Sequence, residues 1–287
     1  MPDGLTGHRS DSGRTVHAAW ARLERASPGN SGWGTRSLSA ITDHRPWPRP
    51  DGNPTMVQTW HDLLFAHWPV PPEALQHLIP PSLALDVYDA QAWLAVVPFR
   101  MSGIRPWGLP AVPGISALPE LNLRTYVTDG TKPGVYFFSL DAGSPIAVAL
   151  ARRWYHLPYY RAHMRVRWED GWVRYSSRRT HRGAEPAAFE GRYRPVGDPS
   201  HATRGTVEHW FTERYCLYNR GPRGRVYRSE VDHVQWPLQP AEARIDRNTL
   251  LSAHGLAVPD TAPILHFSRR LDVRVWLPER LNDRAMP

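Results

Sequence analysis

The sequence predicts an α+β fold that is mainly antiparallel β, and three observations carry this. Turn-separated strand signals run from residue 57 to 276 without a linker. The segment AHMRVRWEDGWVRYSSRRT (162–180) is a hairpin turning on Asp170-Gly171, a dipeptide suited to a two-residue turn. Helical signals are few and short. Many short strands with few helices leave a sandwich or a barrel as the architecture.

Taken in order, residues 1–55 are dominated by Ser, Gly, Arg and Pro, and they end in the breaker-rich PWPRPDGNP (46–54). We expect 1–55 to be a disordered N-terminal extension, with a short amphipathic helix at 14–25 as its one ordered candidate, and 56–280 to form a single domain. LALDVYDAQAWLAVVPFRM (83–101) reads as two strands around Asp89-Ala90-Gln91, and further strands are expected at 120–127, 134–141, 189–196, 224–236 and 264–276. Helices are expected at 71–78, 144–156, 205–213 and 246–254. The second opens with Ser144-Pro145, a capping hydroxyl followed by a proline at the first helical position.

Composition excludes several classes. The net charge of +8 rests almost wholly on arginine, with Lys132 the single lysine among 35 basic residues. The arginines are spread along the chain with no motif for reading bases, so a solvated basic surface is expected and no specific nucleic-acid partner. One cysteine, Cys216, rules out an internal disulfide, and no Cys/His spacing for zinc occurs. His209 and Glu213 share a helical spacing, but two such residues more often make an ion pair than a metal site. Phosphate-binding glycine loops and a Gly-x-Ser-x-Gly elbow are absent, so no cofactor or metal is expected. Neither an apolar secretion signal nor an apolar run long enough to cross a membrane is present, which points to the cytoplasm and to no membrane partner.

Period-2 geometry on strand 120–127 places Glu120, Asn122, Arg124 and Tyr126 on one face and Leu121, Leu123, Thr125 and Val127 on the other. A face of this kind either meets solvent or lines a polar pocket. Arg124 suits a substrate carboxylate or neutralisation of Glu120. Asp141 is read first as a cap for the helix that follows it. His67, in FAHWPVPP, is either a buried structural histidine or a pocket residue.

The order of elements in 136–162 resembles the active-site frame of acetoacetate decarboxylase, where a strand ending in small and acidic residues leads into a short helix and a Pro-Lys-Lys turn. Here Pro158 is followed by Tyr159 and Tyr160. Tyr159 stands where that enzyme's Schiff-base lysine would be, and a phenol cannot condense with a ketone. A closer resemblance spans about Thr55 to Trp276. LLFAHWPVPP (63–72), AWLAVVPFRM (92–101), PELNLRTYV (119–127), PGVYFFSLDA (133–142), LPYYRAHM (157–164), TERYCLYN (212–219) and LHFSRRLDV (265–273) carry it. On these blocks the chain is identified as a member of the YqjF-like family of bacterial proteins, a domain of unknown function distantly related to acetoacetate decarboxylase.

The resemblance implies a closed or cone-shaped β-barrel with a central cavity and a few peripheral helices. It matches Glu120 to a cavity glutamate of the decarboxylase. It implies an uncharacterised protein with a small-molecule pocket, in which Glu120, Tyr159 and Tyr160 are the catalytic candidates and Asn122, Arg124 and His67 the substrate-binding ones. The expected ligand is anionic or carbonyl-containing. A Schiff-base-independent enzyme and a non-catalytic binding protein both remain open, as does homo-oligomerisation.

Overall fold

The computed structural model describes residues 43–112 and 116–281, so the expected helix at 14–25 and the leader up to residue 42 lie outside the described residues. The elements are β1 (Met56–Val70), α1 (Pro72–Gln76), β2 (Ala84–Leu85), β3 (Ala92–Pro106), β4 (Leu118–Thr128), β5 (Pro133–Ala142), α2 (Pro145–Trp154), β6 (Tyr159–Glu169), β7 (Trp172–Arg179) and β8 (Ala188–Pro195). There follow α3 (Val207–Thr212), β9 (Cys216–Arg220), β10 (Val226–Asp232), β11 (Gln239–Asn248), β12 (Ile264–Val275) and β13 (Glu279–Arg280). The Asp170-Gly171 turn joins β6 to β7 with both residues at positive φ, 51° and 77°, as a tight hairpin of matching twist requires.

Strand pairing closes the sheet twice. The order β5-β6-β7-β8-β11-β12-β1-β3-β4 returns to β5 and makes a nine-stranded barrel. Strands β9 and β10 bridge β5 to β12 and close a second ring of seven strands with β4, β3 and β1. The two rings share the wall β12-β1-β3-β4-β5. Most pairings are antiparallel, and β5 is parallel to both β6 and β9.

A shared wall must bury both of its faces, and its sequence reflects that. Leu64, Ala66, Leu94, Val96, Leu121 and Leu123 enter the barrel core with Tyr175, Phe189, Tyr193 and Phe267. The alternating neighbours Leu63, Phe65, Ala95, Val97 and Phe99 pack on the other side. Strands buried on both faces read as unbroken apolar runs rather than alternating ones. For that reason β1, in LLFAHWPV, was absent from the expected strands.

Other elements depart from expectation. The expected helix at 246–254 is the end of β11 followed by a single 3-10 turn, Ser252–His254. Ala241, Ala243 and Ile245 of β11 pack on the barrel core while Glu242, Arg244 and Asp246 are exposed, a period of two written in residues that favour helix. The first of two strands expected in 83–101 shrinks to Ala84–Leu85, beyond which Asp89 and Ala90 form a turn at positive φ. Ser144 caps α2 as expected, accepting from the Ala147 N–H.

The domain also begins before residue 56. Arg45 is buried and donates through Nη1 to Asp232 Oδ1 and to the Val231 carbonyl, each at 2.9 Å. The Trp47 indole N–H donates to Glu230 Oε2 at 2.8 Å. Residues 43–55 therefore belong to the folded unit, contrary to the expected boundary, because the Arg45 guanidinium and the Trp47 indole supply partners to the acids of β10.

Candidate functional site

A cavity of about 440 Å³ lies on the outer face of the shared wall, inside the seven-stranded ring; the nine-stranded barrel is filled by its own side chains. Every strand of the ring contributes to its lining. Trp60, Met101, Phe137, Leu217, Val231 and Val275 are examples, and α2 and the end of α3 complete it. This apolar lining carries a few buried polar groups, the usual composition of a small-molecule site.

Glu120 and Tyr159 form the first polar group. Their strands, β4 and β6, flank β5 on opposite sides, with Asn122 and Tyr159 both in register with Leu140. The Tyr159 hydroxyl donates to Glu120 Oε2. Burial pushes the Glu120 carboxyl up from 4.5 to about 7, against hydrogen bonds from Tyr159 and Asn122 that favour the carboxylate. Burial, and then the Glu120 charge, hold the Tyr159 phenol well above its ordinary value. Asn122 thus braces Glu120 and stands behind the cavity surface rather than on it.

Arg124 is the second group. It lines the cavity, is buried, and forms no ion pair with any carboxylate among the described residues. The expected neutralisation of Glu120 by Arg124 is therefore not found: four strand positions separate them on an extended strand, about 13 Å between α-carbons. The guanidinium lies 5.2 Å from the Phe65 ring centroid and 5.8 Å from that of Tyr126, and its Nε has no hydrogen-bond partner among the described residues. Tyr126 in turn shares a 2.6 Å hydrogen bond with His67 Nε2.

His67 lies behind the lining, stacked on Phe211 at 3.7 Å, and burial followed by the Arg124 charge lowers its pKa well below 6.5. It is a neutral support for Tyr126 and Arg124. Sequence reasoning missed further polar residues on the cavity wall, Arg105, Arg214 and His233 among them. Arg214 is tied to Asp86 and to the Trp210 carbonyl, and His233 is held by backbone carbonyls. Arg214 falls in TERYCLYN, one of the blocks quoted above, which was the available signal.

Residues 57–272 match the family model DUF2071, described as an uncharacterized conserved protein. The chain belongs to the DUF2071 family. It is 45% identical over 227 residues to the uncharacterized protein YqjF of Bacillus subtilis (strain 168), a match covering 79% of this chain and 93% of that protein. Solved structures share the fold of this DUF2071 member at low identity. The enduracididine biosynthesis enzyme MppR complexed with pyruvate aligns with a TM-score of 0.55 and 11% identity over 81% of this chain and 93% of that one. Acetoacetate decarboxylase from Legionella pneumophila subsp. pneumophila str. Philadelphia 1 aligns with a TM-score of 0.54 and 12% identity, over 84% and 94%. An acetoacetate decarboxylase-like enzyme from Sphingomonas wittichii RW1 gives 0.51 and 15%, over 80% and 94%.

Three more residues of this DUF2071 member complete the geometry. Tyr160 alternates with Tyr159 and turns toward the barrel side, where the Arg179 guanidinium lies 4.2 Å from its ring centroid. It does not line the cavity. Asp141, expected as a helix cap, instead accepts two hydrogen bonds from Arg179, at 2.7 and 3.0 Å, because the barrel side of β5 buries it against β7. Lys132, the single lysine, pairs with Glu230 at 2.5 Å and is not among the residues lining the cavity.

Proposed function

We propose that this protein binds a small carbonyl- or carboxylate-containing compound in the seven-stranded cavity and performs acid/base chemistry on it without a Schiff base. The observation that carries this reading is a buried carboxyl with its pKa raised to about 7, hydrogen-bonded to a phenol on the wall of a largely apolar cavity. A base poised near neutral pH is matched to proton abstraction next to a carbonyl. Glu120 takes the proton from carbon, and the electron pair moves onto the carbonyl oxygen as an enolate. Charged Glu120 holds the single Tyr159 proton. Once Glu120 is neutral, the Tyr159 hydroxyl is free to donate to the enolate, and its high pKa keeps it a hydrogen-bond donor. Arg124 is the carboxylate clamp.

The fold neighbour MppR is described as complexed with pyruvate, which supports a keto acid as the ligand class. The alternative reading, a non-catalytic binding protein, draws on the apolar majority of the lining, which suits retention of a ligand as well as turnover. Thermal-shift screening of a metabolite library, followed by deuterium exchange at the α-carbon of each hit in heavy water, separates the two. Catalysis predicts exchange that is lost in Glu120→Gln while binding persists. Hits that bind without exchanging support the binding protein, and a library without hits counts against the cavity as a site. We place the reaction in the cytoplasm as part of the same reading.

A further inference from the structure

The cavity is longer than a pyruvate-sized ligand needs. Along β4 its lining runs from Leu118 through Glu120 to Arg124, six residue steps or about 20 Å of extended strand. The end away from Arg124 is open and largely apolar, with Thr55, Gln58, Arg105 and Ser116 among its polar members. Ile146, Leu150 and Trp154 recur every four residues on one face of α2 and are 55%, 39% and 59% exposed, yet all three line the cavity. Val112 and Leu277, each more than half exposed, line it as well. Of ten exposed large apolar side chains among the described residues, five thus gather at this mouth, and Trp107 and Leu109 sit in the loop beside it. Apolar exposure concentrated on one rim marks a binding groove rather than scatter.

We propose that the ligand is an elongated amphiphilic carboxylate, with its acid group at Arg124 and an aliphatic or aromatic tail running past Glu120 to the apolar mouth at α2. The inference rests on the reading of this cavity as a ligand site, and it adds the ligand class. Of the two buried guanidiniums in the lining, Arg124 is the one that no carboxylate among the described residues neutralises, since Arg214 has Asp86; Arg105, half-buried toward the mouth, donates to the Gly103 carbonyl. A tail leaving Arg124 passes Glu120 because both side chains project from the same face of β4.

The test is calorimetric titration of the full chain with acetate, hexanoate, decanoate and tetradecanoate, and with decanol as a neutral control. Affinity is expected to rise by up to about fourfold per added methylene until the tail reaches the mouth. Decanoate is expected to bind at least tenfold tighter than decanol, a difference that disappears in Arg124→Met. An Ile146→Glu, Leu150→Glu double variant is expected to weaken tetradecanoate and leave hexanoate unchanged. Equal affinity along the series, no binding of the longer acids, or an unaffected double variant would overturn the proposal. So would a change of oligomeric state as the double variant's only effect, since the rim would then be a contact between copies. Proton-exchange activity on short keto acids is a separate readout, so loss of the chain-length effect leaves the acid/base reading standing and the reverse also holds.

Discussion

Tyr159 donates its phenolic hydrogen to Glu120 across the width of β5, joining two strands that do not pair with each other at this point. The contact places a titrating carboxyl in an apolar wall, and stability should follow its protonation. Glu120 has its folded pKa raised to about 7, so the neutral form is the one the fold accommodates. Its contribution is complete below the unfolded value near 4.5 and is lost as pH rises through 7, worth about 3 kcal/mol over that window. Denaturant unfolding of wild type and Glu120→Gln between pH 4.5 and 8.5 is expected to diverge accordingly, with the variant the more stable at the alkaline end.

Arg124 has no ion pair to lose. Arg124→Met should therefore leave the protein as stable as wild type or slightly more so, because an unpaired buried cation costs solvation energy. Carboxylate ligands should lose at least tenfold in affinity. Chemical denaturation alongside calorimetry distinguishes this from a structural role, which would lower both.

Arg179 behaves in the opposite way. It makes a two-pronged pair with Asp141, and both side chains are buried. Arg179→Met strands the carboxylate, whose pKa burial already raises, and should cost about 3–5 kcal/mol. The double variant Arg179→Met, Asp141→Leu should recover most of that loss in a thermal melt.

The segment before β1 is a further test. A chain starting at Met56 lacks Arg45 and Trp47, leaving Glu230 and Asp232 with fewer partners. Its unfolding midpoint is expected below that of a chain starting at residue 43. Equal midpoints would show that Arg45 contributes nothing to the fold.

The outer face of the barrel carries Arg167, Arg174, Arg192 and Arg244 directly opposite one another on β6, β7, β8 and β11. Like charges in register destabilise by about 0.2–1 kcal/mol per pair, and salt screens them. Raising sodium chloride should stabilise wild type more than Arg192→Thr, a difference visible in parallel melts.

Much of this fold could be read from alternation and turn chemistry. The Asp170-Gly171 hairpin and the two faces of β4 follow from local sequence, since each has one consistent period. β1 was hidden because a wall shared by two rings buries both faces, and β11 because Ala, Glu and Arg at alternate positions resemble a helix. The cavity lining was legible where β4 supplied it, at Glu120 and Arg124, and at Tyr159 through the Pro-Tyr-Tyr turn, while Asn122 stands one layer behind. The Arg179 partner of Asp141 was not legible. A register shift beside Leu123 and Arg124 changes which residues of β5 face the barrel, and no local pattern reveals a bulge. Arg214 and His233 reach the cavity only through closure of the second ring, a long-range event.

The most direct test of the Glu120–Tyr159 pair as an acid/base centre is a carbon-13 NMR titration of the Glu120 side-chain carboxyl, assigned with Glu120→Gln, in wild type and in Tyr159→Phe. The account predicts a midpoint near 7 in wild type, moving upward in Tyr159→Phe because the hydrogen bond that favours the carboxylate is gone. A midpoint near the ordinary glutamate value of about 4.3, unchanged by the Tyr159 substitution, would contradict it.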